Sequence, residues 1–166
     1  VSFFPELQRF GFRTEKGLID AMTWRQGTLF LAGLLGILTA IWLYVEPFTH
    51  RDLATTPFLS WKTFGAFVYL LFYAFAVLLI AISHYNLSAK RWRDRGWRFP
   101  GALAGLLPLL ALFSGALHWL QPRVADVMPY GYALIADAAL AAVMAWNVVE
   151  LGFLRGRDSA PQARSI

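Results

Sequence analysis

The chain has 166 residues, enough for one domain, and 58% of them are apolar while only 15% are charged. A soluble domain has about 45–50% and about 25%, so this composition excludes an ordinary soluble fold and points to a polytopic membrane protein. The net charge of +5 does not mark a nucleic-acid binder, because the basic residues gather beside long apolar runs, and with no cysteine there are neither disulfides nor thiolate metal sites.

Residues 1–26 mix Phe3, Phe4, Leu7, Phe10 and Phe12 with Arg9, Arg13, Lys16 and Arg25. Phe3, Leu7 and Phe10 fall at helical spacing, so this segment is expected to be an amphipathic arm on the cytoplasmic membrane surface. The first span is expected over 28–45. It carries no charge and reaches about 27 Å, the thickness of a bilayer core. It reads as a retained span, since no small-residue cleavage site follows it. A polar connection over 46–62, bounded by Pro47 and Pro57, leads to a second span over 63–83.

The stretch from His84 to Pro100 holds five of the fifteen Lys and Arg residues. The second helix is expected to continue through His84 towards Trp92, since nothing breaks it before Gly96. The third span covers 101–120, with Pro100 in its first turn and Pro108 expected to kink it. Gly101 and Gly105 form a small-x-x-x-small pair, a signal for close helix contact. The fourth span covers 130–154, and 155–166 is a polar tail.

Orientation follows from charge. The arm, the central stretch and the tail carry twelve of the fifteen basic residues; Arg51, Lys62 and Arg123 lie on the other side. Positive residues stay inside. The expected fold is therefore all-α, four transmembrane helices with both termini cytoplasmic, in a bacterial inner membrane.

Few side chains could carry chemistry. Asp137 is an acid inside a span, which is costly unless it faces another helix or water. His118, near the same end of the third span, is its expected partner. Either a proton site or a structural bond between helices fits that pair. His84 and His118 sit at span ends on different helices, too far apart in the chain's layout to share a haem or a metal. Asn147 and Glu150 lie on the inner end of the fourth helix. Glu150 is expected to join Lys90, Arg91, Arg93, Asp94 and Arg95 in a network that clamps the second helix to the fourth, or else the basic cluster serves lipid headgroups. There is no phosphate loop, nucleophile–base pair or metal-ligand motif.

Two patches carry a resemblance. Leu87–Trp97, with Arg91, Arg93, Asp94, Gly96 and Trp97, resembles the loop of the YhaH-like bacterial inner-membrane proteins, a family without established activity. Trp146–Gly156 is similar to that family's closing Glu-Leu-Gly-Phe-Leu-Arg-Gly segment. The likeness spans about Met22 to Gly156, although the family's usual tail is replaced here by Asp158-Ser159-Ala160-Pro161. It implies a four-span inner-membrane protein and no reaction.

The expected function is a non-catalytic accessory or scaffold subunit of a larger inner-membrane complex, with a respiratory or photosynthetic complex as a natural host. The alternatives are a small proton-linked transporter or channel using Asp137, and a lipid- or quinone-binding sensor using the basic stretch. The expected partners are anionic lipid headgroups and other integral membrane subunits, not nucleic acid. No cofactor or metal is expected; a surface lipid, quinone or pigment would be the only bound group.

Overall fold

A computed structural model describes residues 17–49 and 60–156. Residues 1–16 of the arm expected over 1–26, the Pro57 end of the first connection and the tail beyond Gly156 lie outside the described residues, and the last six residues of that arm belong to the first helix. The described chain is helical without strands. Helix α1 spans Ala21–Val45, α2 Trp61–Asp94, α3 Pro100–Leu120 and α4 Gly131–Asn147. A six-residue π-helical segment, Val148–Phe153, prolongs α4. All four helices are long and apolar enough to cross a membrane.

The helix ends differ from the expected span ends for local reasons. α1 starts seven residues before the uncharged run because Asp20 caps it, accepting from the Thr23 backbone N–H at 2.9 Å. Hydrogen bonds from the Thr23 side chain and backbone hold the Asp20 carboxyl below the usual carboxylate range. Ser60 caps α2 in the same way, its Oγ accepting from the Thr63 N–H at 3.2 Å.

At 34 residues, α2 is about 51 Å long, roughly 20 Å more than a hydrocarbon core. It therefore projects, and its basic residues ride on the projection. It stops at Gly96, whose φ of 73° is left-handed. The Gly96 N–H donates to the Arg93 carbonyl and the Trp97 N–H to the Trp92 carbonyl. The Trp92 and Trp97 rings meet edge to face at 5.4 Å. These are the two bonds and the apolar contact of a Schellman stop, which needs glycine at the left-handed position. Pro100 then opens α3, which runs unbroken through Pro108.

The chain forms two compact units, residues 28–82 and residues 1–27 with 83–166. In the first, α1 meets α2 through polar and aromatic contacts. Thr39 and Tyr73 hydroxyls lie 3.0 Å apart, Tyr69 donates to the Leu38 carbonyl at 2.7 Å, and Trp42 stacks on Tyr73. In the second, α3 packs on α4, and a core gathers round the projecting end of α2: Ile19, Trp24, Leu87, Ala89, Trp92, Ala104 and Leu151. The Gly101–Gly105 pair receives the Tyr85 side chain. A methyl on Gly101 would stand 3.0 Å from the Tyr85 hydroxyl, so the pair seats a ring from α2 instead of a neighbouring backbone.

Candidate functional site

The end of α2, expected to clamp the second helix to the fourth or else to serve lipid headgroups, is largely buried. Ser88, Ala89, Lys90, Arg91 and Trp92 all lie inside the second unit. Arg91, only 1% exposed, is the hub. Its Nε donates to the Leu151 carbonyl at 2.9 Å and its Nη1 to the Ile19 carbonyl at 3.4 Å. Its Nη2 donates to the Leu154 carbonyl, and Nη1 also pairs with the Asp94 carboxylate. One planar guanidinium thus joins α2, the segment before α1 and the end of α4. The last carbonyls of a helix have no partners within it, and a cation there also complements the helix dipole. Arginine suits the task because its fork holds several donors in one rigid plane.

The expected network does tie α2 to α4 through the Arg95–Glu150 pair, but its Arg91, Arg93, Asp94 and Glu150 members split into separate interactions. Glu150 does not reach Arg91 or Asp94. Its Oε1 accepts from Arg95 Nη2 at 2.8 Å and from the Trp97 indole N–H at 3.2 Å. Arg95 also donates to the Arg155 carbonyl. Arg93 turns away and donates to the Gly17 carbonyl at 3.2 Å. The reason is helical geometry: Arg91 and Arg95, four apart, share the face towards α4, whereas Arg93 lies about 200° round the helix from Arg91. Asn147 does not pair with Glu150 either. Its Nδ2 donates to the Val143 carbonyl of its own helix at 2.9 Å, where α-helix gives way to π-helix.

Two contributors had not been expected here. The Trp24 indole N–H donates to Ser88 Oγ at 3.1 Å, and Gly152 lets that indole approach α4, since a methyl there would stand 3.3 Å from it. No local pattern announces a contact between residues 64 positions apart.

The second polar site joins α3 to α4. His118 Nε2 lies 2.9 Å from Asp137 Oδ2, and Ser114 Oγ donates to Asp137 Oδ1. The expected His118–Asp137 pair therefore meets. Ser114 was missed, although it stands one turn before His118 on the same face, where an i, i+4 reading would have found it. Ser114 does not touch the imidazole through these bonds, since the carboxylate stands between them, so this is not a nucleophile–base arrangement. The His118 and Asp137 side chains are 44% and 40% exposed. His84 is on α2, with its ring edge to face with Trp24 at 6.3 Å. Among the described residues no three His, Asp or Glu side chains come together as metal ligands would.

No family model, curated protein or solved structure matches the chain.

Proposed function

We propose that the chain is a non-catalytic accessory subunit of a larger assembly in the bacterial inner membrane, with the termini and the basic end of α2 in the cytoplasm. The observation that carries this reading is where the apolar surface lies. In the most apolar windows of α1 and α2 only 6% is buried within the chain, and in α3 and α4 only 17%. In a membrane, lipid or other helices cover the rest. The charged groups at the end of α2, meanwhile, hold backbone in place and leave no poised acid, base or nucleophile. The two patches that resemble the YhaH-like family, around Arg91–Trp97 and Trp146–Gly156, are the ones that meet at Arg91 and Arg95, which supports a shared structural role for them.

A photo-crosslinking residue placed in native membranes at Leu71 or Phe75, or at Leu134 or Ile135, tests the assembly; all four positions are exposed. A discrete crosslink to a second integral membrane protein is expected from at least one face. Lipid adducts alone at every position, with migration as a monomer, would remove the subunit reading.

Orientation is tested with a cysteine at Arg98. Ser88, which lies in the same basic stretch, is fully buried and unsuitable, whereas Arg98 is exposed. An impermeant thiol reagent should label Arg98→Cys only from the cytoplasmic face. Labelling from the periplasmic face would invert the topology.

A second reading, a small proton-linked transporter or channel, is favoured by the Ser114–Asp137–His118 cluster. Under the subunit reading Asp137→Asn leaves the fold intact, because an amide oxygen still accepts from Ser114. Assembly should be unaffected. Loss of a proton flux in reconstituted vesicles, with assembly intact, would favour transport instead.

A further inference from the structure

We propose that the second unit carries a specific site for an acidic phospholipid headgroup, built on Arg25 and Arg155 and not on the basic stretch of α2. An open cleft of about 520 Å³ lies between the start of α1 and the segment after α4. Its polar lining is Arg25, Arg91 and Arg155 with Asp20 and Asp94. Three of these five are already engaged. Asp94 is paired with Arg91, whose other donors go to carbonyls, and Asp20 caps α1.

Arg25 and Arg155 remain. Among the described residues the Arg25 guanidinium lies over the Phe153 ring at 5.9 Å, and Arg155 offers its carbonyl to Arg95 while its side chain is exposed. Guanidinium groups bind phosphate oxygens in bidentate fashion and keep their charge at any physiological pH. The first turn of α1 adds Ala21 and Met22 to the lining, at the positive end of a helix dipole.

Depth and rim select a lipid over a free anion. Arg25 is three residues before the uncharged run of α1, about 4.5 Å below its start, so the cleft opens at the headgroup level. Leu18 and Met22 line it and are exposed, as is Phe153 beside Arg25. Basic groups within and exposed apolar side chains at the rim match a phosphodiester with acyl chains, not a soluble ion.

The test uses the full-length protein in neutral detergent, with thermal unfolding followed while phosphatidylglycerol, phosphatidylcholine or glycerol 3-phosphate is added. Binding to the folded state raises the melting temperature. A rise with phosphatidylglycerol only is expected. Arg25→Gln with Arg155→Gln should weaken the apparent affinity by more than ten-fold, each basic group near the membrane surface being worth about five-fold. Arg98→Gln, at an exposed position outside the cleft, should leave it unchanged. An equal rise with phosphatidylcholine, an equal rise with glycerol 3-phosphate, or an unchanged affinity in the double variant would each overturn the proposal. No rise with any lipid would overturn it too. If the double variant does not fold, the three wild-type titrations still decide between a lipid site and none.

Discussion

Replacing Arg91 with alanine is expected to destabilise the protein by about 3–5 kcal/mol, the cost of breaking a buried ion pair by removing one partner. Its side chain is 2% exposed. Its loss strips the Leu151, Leu154 and Ile19 carbonyls of a donor at once and leaves Asp94 without its cation. A protein's whole stability is only about 5–15 kcal/mol, so Arg91→Ala should also accumulate poorly in membranes. Arg91→Lys restores the charge but not the fork, and one ammonium cannot cover carbonyls in several directions; it should recover less than half of the loss. Asp94→Ala added to Arg91→Ala should cost less than the sum, because the single change already leaves that carboxylate unpaired. Arg98→Ala, at an exposed position, should stay within about 0.5 kcal/mol. The measurement is thermal unfolding in neutral detergent. An Arg91→Ala melting temperature equal to the wild type's would mean that the carbonyl bonds contribute nothing net.

Trp92→Ala should have an effect of similar size, about 3–5 kcal/mol, by a different mechanism. Trp92 is fully buried, with the Trp146 ring at 4.9 Å and the Trp97 ring at 5.4 Å. Truncation leaves a cavity at the meeting of α2 and α4 and removes the apolar half of the Schellman stop. Among the described residues the indole N–H has no hydrogen-bond partner, and an unsatisfied buried donor costs about 1–3 kcal/mol. Trp92→Phe deletes that donor while keeping a ring, so it should cost less than half as much as Trp92→Ala. The control is Trp61→Ala: Trp61 is 89% exposed, and its loss should leave detergent unfolding within about 0.5 kcal/mol. If Trp92→Phe is as damaging as Trp92→Ala, the indole N–H has a partner in solution, such as a bound water.

The sequence by itself determined the class of this protein and the layout of its helices. Bilayer thickness sets a minimum length for an apolar run, and four runs exceed it, the fourth despite Asp137. Proline and glycine mark ends through backbone geometry that a short window reveals: Pro100 at the start of α3, Gly96 at the stop of α2. The His118–Asp137 pairing was also legible, because a short connection joins their helices and an acid in a span needs a partner. Which basic residues bind what was not legible. Lys90, Arg91, Arg93, Arg95 and Arg98 look alike as a string, but a helix sends neighbours to different faces. Only the packing of Trp24, Trp92 and Leu151 decided that Arg91 would be enclosed and would meet the end of α4. Its partners there are main-chain carbonyls, which every residue carries, so no side-chain pattern can announce them. The same packing turned Arg25 and Arg155, unremarkable in the sequence, into the cations that line an open cleft, because the bonds that tie up their neighbours join residues some sixty positions apart.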